Sequence, residues 1–233
     1  IFKLKTTIAI GCYNEKATIA EVIARAKDLK ISKEIIVIDN CSTDGTREIL
    51  ESIKDASINI ILQPKNYGAG KSTQVAIEMA DSDYFIGPGA DLEYQMTDII
   101  KMIMKLEDEN LDAVIGSRLM KINNTSKLRL IKERPYWLGS IIATFMTNKF
   151  YKRNFTDVLT IALVKTDLLK TLGCISKNHS FQFELVSRLC KKGYSIGEVP
   201  LNYKPRTMNE GKTIHWWDMI DAIFVMLRVK LFG

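Results

Sequence analysis

Five short apolar runs recur through the first half of the chain, each followed by a stretch with helical spacing. This alternation restricts the fold more than any other feature. The runs are "TTIAIG" (6–11), "EIIVID" (34–39), "INIILQ" (58–63), "DYFIG" (83–87) and "DAVIGSR" (112–118). Runs of that length, bounded by turn-forming residues, read as buried strands. Between them lie "EKATIAEVIARAKDL", with Ile19, Val22, Ile23 and Ala26 at helical spacing, then "STDGTREILESI", "GKSTQVAIEMA" and "TDIIKMIMKLEDE". Ser42, Thr43 and Asp44 are expected to cap the second helix and Thr97 the fourth. Strands alternating with helices imply right-handed βαβ units and a parallel, doubly wound sheet, an α/β fold. Ligands of such sheets bind beyond the carboxyl ends of the strands. Polar residues stand there: Tyr13-Asn14-Glu15, Asp39-Asn40, Gln63 to Gly70, Gly89-Ala90-Asp91 and Gly116-Ser117-Arg118.

One of these stretches, "NYGAGKST" (66–73), ends like a phosphate-binding P-loop. The full pattern needs a glycine five positions before Gly70, where this chain has Lys65. Without that glycine the backbone does not curl its N–H groups around a phosphate, so a nucleotide hydrolase is disfavoured. Two histidines, His179 and His215, supply histidine-based mechanisms poorly. Cys12, Cys41, Cys174 and Cys190 are scattered, which suits neither a zinc site nor a disulfide framework and points to reduced thiols in a cytosol. The net charge of +6 favours phosphorylated substrates or an anionic membrane face. Nucleic acid is not expected as a partner, because the basic residues are dispersed and no nucleic-acid motif occurs. No signal peptide is read in a sequence that opens on Ile1, and no stretch reaches the roughly 18 apolar residues needed to span a bilayer.

The second half is less regular. "PYWLGSIIATFM" (135–146) is uncharged and precedes Lys149, Lys152 and Arg153; "SFQFELVSRLCKKGY" reads as an amphipathic helix, and "SIGEVPLNYKPR" as a strand with a proline-bounded edge. In the closing "IHWWDMIDAIFVMLRVKLFG", Trp217, Ile220, Phe224, Leu227 and Leu231 line one helical face, with Asp218, Asp221 and Arg228 on another.

Seven fragments in order carry a resemblance: "YNE", "IDNCSTDGT", "PKNYGAGKS", "GADLEY", "VIGSR", "TDV" (156–158) and "GYSIGEVPLNYKPRTMNEGKTIHWWD". Together they resemble the nucleotide-sugar glycosyltransferases of family 2, which have the GT-A, Rossmann-like fold. Within that family the likeness is greatest to the dolichyl- or polyprenyl-phosphate sugar synthases. It runs from about Thr6 to Arg228. It implies one continuous domain: residues 1–118 form a nucleotide-sugar-binding half, and 119–233 an acceptor-binding half ending in amphipathic helices.

By this resemblance Asp39 binds the base or ribose, with Tyr13, Asn14 and Glu15 as the facing wall. Asn66, Gly68 and Gly70 form a supporting loop close to the ligand, and Ala90 lies beside the diphosphate. As plain loop chemistry, Asp39 also suits a helix cap and Glu15 a first-turn acid. The family usually shows Asp-x-Asp after the fourth strand, whereas this chain has Gly89-Ala90-Asp91. Magnesium or manganese wants hard oxygen ligands, so Asp91 and Glu93 are the expected ligands of a weakened site. Part of the diphosphate's charge is then left to Arg118, Arg206 and Lys212. Arg118 and Arg134 are the expected socket for an acceptor phosphate, and Asp157 an acid near the acceptor. After "TDV" the relatives usually carry a glycine, an aromatic and a basic residue, where this chain reads "LTIAL".

The expected activity is inverting transfer of a sugar from a UDP- or GDP-sugar to a polyprenyl phosphate, at the cytoplasmic face of a membrane touched peripherally by Trp137, Trp216 and Trp217. An ionised phosphate acceptor needs no strong general base. Transfer to a sugar or protein hydroxyl is the alternative and needs one, with Asp157 or Glu184 as candidates. A third reading is a nucleotide-sugar-binding module weakened by the loss of the first aspartate. Sugar, base and oligomeric state are not legible.

Overall fold

The computed structural model describes residues 4–123, 126, 130, 132, 137–206 and 216–232. Strands β1 (Thr6–Cys12), β2 (Lys33–Asp39), β3 (Ile58–Leu62), β4 (Tyr84–Ile86) and β5 (Ala113–Ser117) form where the apolar runs predict them. Helices α1 (Ile19–Asp28), α2 (Thr46–Ser52), α3 (Ala69–Met79) and α4 (Asp98–Asp108) alternate with them. Then follow α5 (Trp137–Tyr151), β6 (Ala162–Lys165), α6 (Thr166–Thr171), α7 (Phe181–Lys191), β7 (Ile196–Pro200) and α8 (Trp216–Phe232). One seven-stranded sheet results, ordered β3-β2-β1-β4-β6-β5-β7. Its pairings are parallel except for β6, which runs antiparallel to both β4 and β5.

Each strand divides its side chains between two cores. Ile8 and Ile10 of β1 and Ile35 and Val37 of β2 pack under α1, α2 and α4, with Val22, Leu50 and Met102. Ala9, Ile36 and Ile38 face the opposite way, toward Ala76 of α3, Ala143 of α5, Phe181 and Leu185 of α7 and Met226 of α8. This is the period-two alternation of a sheet covered on both faces.

Register sets the level of the strand tips. Cys12 pairs with Asp39 and Asp39 with Leu62, so β1, β2 and β3 end together. Ser117 pairs with Pro200, which puts Arg118 beside Leu201. Because β6 is antiparallel, the residues before it, including Asp157, arrive at the same edge. β4 stops at Ile86, level with Ile8 of β1. Its neighbour continues from Ala9 to Cys12, and the short central strand leaves a notch in the rim.

One local expectation is narrowed and another corrected. α2 starts at Thr46 behind Gly45, whose φ of 103° is left-handed, and Asp44 rather than Ser42 or Thr43 accepts the Thr46 N–H, at 2.9 Å. Thr97 precedes α4 but makes no side-chain capping bond; the buried Asp98 instead binds the Asn202 N–H across the chain, at 2.6 Å.

Candidate active site

Strained backbone marks the rim. Asn14 and Cys41, each two residues past the ends of β1 and β2, hold φ values of 55° and 67°, and Leu92, in the loop that follows β4, holds 57°. Positive φ in non-glycine residues costs about 1–3 kcal/mol and is held only where surrounding bonds over-determine it. Here the Asn14 N–H donates to Ser42 Oγ at 2.9 Å and Asn14 Oδ1 accepts from the Thr43 N–H at 2.8 Å. The first and second tips are thereby stitched together. Asn40 Nδ2 donates to Asn66 Oδ1 at 2.8 Å, and Asn66 Oδ1 also accepts the Gly68 N–H, which ties the second tip to the third.

Asp39 is fully buried at the end of β2. Its carboxylate accepts the Ser42 N–H at 3.1 Å and Arg47 Nε at 2.8 Å. Arg47 also reaches the Gln63 carbonyl at 2.5 Å. Arg47 escaped the sequence reading because it sits on the exposed-looking side of a short helix. Tyr13, by contrast, is open to solvent.

Gly68 and Gly70 are required by packing. A Cβ on Gly68 would lie 2.4 Å from the Lys177 carbonyl oxygen, and one on Gly70 2.4 Å from that of Ser176. The Lys71 N–H donates to that same Lys177 carbonyl at 3.0 Å. Segment 176–178 therefore covers the start of α3, and a phosphate has no place there; the P-loop reading ends on this contact. Contact with segment 176–178 is a packing reason for the two glycines that stands beside the expected ligand one. Gly70→Ala is expected to destabilise the fold by about 1–3 kcal/mol, against the ~1 kcal/mol that helix propensity alone would return. Urea denaturation checks the sign.

The fourth tip carries the site's unusual electrostatics. Burial, and next the charge of Glu93, push the Asp91 carboxyl up to about 6, with Glu15 adding in the same direction and Arg206 opposing. Among the described residues Asp91 forms no ion pair. Arg206 arrives from beyond β7: its NH1 and NH2 groups donate to the two Glu15 oxygens at 3.0 and 2.6 Å, and its Nε to the Asp91 carbonyl at 2.9 Å. The Arg206 N–H donates to Glu93 Oε1 at 2.7 Å, and the Tyr203 hydroxyl to Glu93 Oε2 at 2.6 Å. One guanidinium thus stands among three acids, Glu15, Asp91 and Glu93. Ala90 is buried behind them. Tyr203 was not foreseen, since nothing local to "PLNYKPR" announces its partner.

Arg118 and Asp157 form a second, neutral unit. Arg118 Nε and NH2 donate to Asp157 at 2.7 and 3.1 Å, and Ser140 Oγ donates to the same carboxylate at 2.6 Å. The guanidinium lies 4.6 Å from the Trp137 ring and 5.2 Å from that of Tyr203. Burial opposes both charges, but each partner more than offsets it: Arg118 is held above and Asp157 below its ordinary range. In this arrangement Arg118 is not an open cation for an acceptor phosphate, and Asp157 is neither exposed nor basic enough to take a proton. Glu184 is also buried; burial works against its charge, yet the Ser176 and Ile175 N–H groups and Arg188 hold its pKa low. It anchors segment 175–176 and faces no reacting group. Lys212 and Arg134 lie outside the described residues.

Residues 7–186, more than half of the chain, match the profile of Glycosyl transferase family 2. The chain is a family 2 glycosyl transferase. It is 30% identical over 200 residues to the uncharacterized protein MJ0544 of Methanocaldococcus jannaschii, covering 81% of this chain and 83% of that one. It is 27% identical to the low-salt glycan biosynthesis hexosyltransferase Agl6 of Haloferax volcanii and 30% identical to glycosyltransferase AglJ of the same organism. The matches cover 86% and 83% of this chain, but only 48% and 61% of those enzymes. Among solved structures it shares its fold with Mycobacterium tuberculosis glucosyl-3-phosphoglycerate synthase in complex with UDP, at a TM-score of 0.69 and 15% identity, over 98% of this chain and 80% of that one. The same synthase with Mn2+, UDP and phosphoglyceric acid superposes at 0.66, with 16% identity, over 99% and 80%.

The glycosyl transferase family's usual acid pair makes the fit of a divalent cation a concrete question. A Cβ on Gly89 would lie 3.7 Å from Asp91 Oδ1, so position 89 does point at the Asp91 carboxylate. Glycine there leaves one carboxylate where two would stand, and Gly89 has a φ of 78°. Glu93 is engaged by Tyr203 and Arg206. Among the described residues no group of three or more His, Cys, Asp or Glu side chains gathers to hold a metal. A magnesium-type ion takes one or two carboxylates and completes its shell with phosphate oxygens and water. The residues present fit a cation in that form only, with Asp91 as the protein ligand and a diphosphate as the other.

Proposed function

We propose that this glycosyl transferase moves a sugar, with inversion, from a UDP- or GDP-linked donor to a polyprenyl phosphate. The observation that carries this reading is the state of the acids. The two acids expected to activate a hydroxyl, Asp157 and Glu184, are buried and locked in ion pairs, which favours a nucleophile that arrives already ionised. A phosphate monoester, with a second pKa of about 6, does so.

An acceptor phosphate oxygen then forms a bond to the anomeric carbon from the face opposite the donor diphosphate. The carbon–oxygen bond to that diphosphate breaks, its electron pair leaves with the nucleoside diphosphate, and no proton transfer is needed. The transition state has oxocarbenium character, and the departing charge is met by Arg206. When bound, a divalent cation supplies further neutralisation of the diphosphate. Asp39, Tyr13, Asn14 and Glu15 hold the nucleoside, and the Asn40–Asn66 clasp keeps the third tip against them. The UDP in the solved neighbours supports the donor class, and their Mn2+ supports the cation.

α8 supports a peripheral membrane contact. Ala222, Val225, Met226 and Val229 face the core, while Ile220, Phe224, Leu227 and Leu231 form an outward stripe, with Phe224 64% and Leu231 68% exposed. On α5, Trp137 is buried against Arg118, which removes it from the expected headgroup contacts, whereas Phe145 is 65% exposed. Trp216 and Trp217 have no described side chains. No helix among the described residues is long and apolar enough to cross a membrane. The exposed Lys149, Lys152 and Lys230 flank this face, a charge arrangement suited to anionic lipid on the cytoplasmic side.

The hydroxyl-acceptor reading keeps one observation in its favour: Asp91, titrating near 6, is a proton acceptor at the rim. Acceptor choice separates the two, and pH does not, because the phosphate titrates in the same range. With radiolabelled UDP- and GDP-sugars, transfer to polyprenyl phosphate in anionic vesicles is expected. Phe224→Lys with Leu231→Lys should cut it about tenfold, while transfer to a short water-soluble prenyl phosphate stays unchanged. Transfer to free sugars or peptides, with lipid phosphates ignored, contradicts the proposal.

A further inference from the structure

Glu184 is a buried carboxylate that the proposed chemistry leaves unused, and it joins three parts of the molecule. It lies on α7 with no exposed surface. Its Oε1 stands 2.8 Å from Arg188 of the same helix and 3.1 Å from Nη2 of Arg228 on α8. Its Oε2 accepts the Ile175 and Ser176 N–H groups at 3.0 and 2.8 Å. A buried ion pair is a poor source of stability, since apolar residues of similar volume join helices as well or better. Arg188 already balances the charge of Glu184. What Arg228 adds is a link to α8.

That link has two ends. Outward, Arg228 lies one helical turn from both Phe224 and Leu231 of the exposed apolar stripe. Inward, the segment held by Glu184 presses on the third strand tip. The Lys177 carbonyl accepts the Lys71 N–H at 3.0 Å, and the Ser176 carbonyl accepts Gln74 Nε2 at 2.9 Å. At Gly68 and Gly70 backbone meets backbone, so no flexible side chain absorbs a displacement. Asn66 Oδ1 accepts the Gly68 N–H and Asn40 Nδ2, and Asn40 Oδ1 accepts the Tyr67 N–H at 2.9 Å. An unbroken line of contacts thus runs from the stripe on α8 to the tips assigned above to the nucleoside. One contact in it is imperfect. Arg228 Nη2 is buried close to Glu184, yet among the described residues it makes no aligned hydrogen bond. A buried donor in that state is destabilising, so this contact has a better arrangement within a small movement of α8.

We infer that contact of α8 with an anionic bilayer tightens nucleotide binding at the strand tips, and that the Arg228–Glu184 pair transmits the effect. The inference rests on the donor and membrane readings above and names the regulation of that same site. Seating α8 on lipid fixes the partner of Glu184, and through it segment 175–178 and the third tip. A ligand that has to order this tip then has less ordering left to do, which is positive coupling. Linkage makes the coupling reciprocal: vesicles must tighten UDP by the same factor as UDP tightens vesicles.

The test uses the protein with UDP, GDP and vesicles of equal phosphatidylglycerol and phosphatidylcholine. Calorimetry reads nucleotide affinity with and without vesicles, and flotation reads vesicle affinity with and without saturating nucleotide. In wild type both affinities are expected to rise on the order of fivefold, by one common factor. Vesicles should also slow hydrogen exchange at the Lys71 amide, which is bonded to the Lys177 carbonyl. Arg228→Met leaves Glu184 paired with Arg188. It should bind nucleotide alone and vesicles alone within about twofold of wild type, as for independent sites, with the mutual enhancement gone. Phe224→Lys with Leu231→Lys should bind nucleotide normally and ignore vesicles. Independent binding of the two ligands to wild type would overturn the inference while leaving both parent readings standing, as would Arg228→Met that keeps the full enhancement. If wild type ignores vesicles the membrane reading falls, and if it binds neither UDP nor GDP the donor reading falls, each taking the inference with it.

Discussion

Asp91→Asn is expected to lower sugar transfer by about 10²–10³-fold while making the protein more stable at neutral pH. The first effect follows if Asp91 is the protein ligand of the cation that neutralises the leaving diphosphate, since one electrostatic contribution at a reacting centre is worth about that much. The second follows from linkage. Burial and Glu93 raise the folded-state pKa from the ordinary 3.8 to about 6, so the folded chain holds this proton more tightly than the unfolded one. The stability so contributed is complete below pH 3.8, is lost as pH rises through 6, and leaves a constant penalty above. Asparagine carries no such penalty. The variant should gain about 1–3 kcal/mol at pH 7.5 and nothing near pH 4, a rise of several degrees in unfolding midpoint at the higher pH. Thermal denaturation at the two pH values, beside a transfer assay, reads both. A variant that loses stability at pH 7.5 would show that Asp91 is a structural acid.

Asp157→Asn is expected to be severe for the opposite reason. It leaves the Arg118 guanidinium buried between Trp137 and Tyr203 without its counter-ion. Breaking one side of a buried pair is destabilising by about 3–5 kcal/mol, whereas replacing both partners is often close to neutral. Arg118→Met in the Asp157→Asn background should therefore recover more than half of the loss, a coupling well above the few tenths of a kcal/mol of independent sites. Urea denaturation of the two single variants and the double variant measures it. If the single change behaves like a surface substitution, or the second change adds to the damage, the pair is not the neutral structural unit described above.

The first five strands and four helices were legible because each is written in one contiguous apolar or amphipathic stretch, and the edge that bears the site follows from their parallel run. β6 was not. "ALVK" is four residues long, and its antiparallel insertion between β4 and β5 is a pairing that no local pattern encodes. The same limit governs the site. Asp39, Glu15 and Asp91 stand where strand tips announce them, but Arg206 meets Glu15 across 191 residues of sequence. The reason for Gly68 and Gly70 lies in a carbonyl more than a hundred positions away. Sequence also suggested Arg118 as a free cation, since a strand-end arginine looks the same whether or not a carboxylate folds back onto it. The stripe Ile220, Phe224, Leu227 and Leu231 was seen; that it faces outward depends on Ala222, Val225, Met226 and Val229 filling the core.

The account rests on one convergence: acids and amides at successive strand tips, with Arg206 among them, hold a sugar-linked diphosphate. A crystal structure of the protein soaked with UDP- or GDP-sugar and manganese tests it most directly. The prediction is a diphosphate lodged at the β4 tip, with Asp91 and Arg206 within contact distance and the nucleoside between the β1 and β2 tips. An empty rim under saturating donor, or a nucleotide bound elsewhere on the molecule, would contradict it.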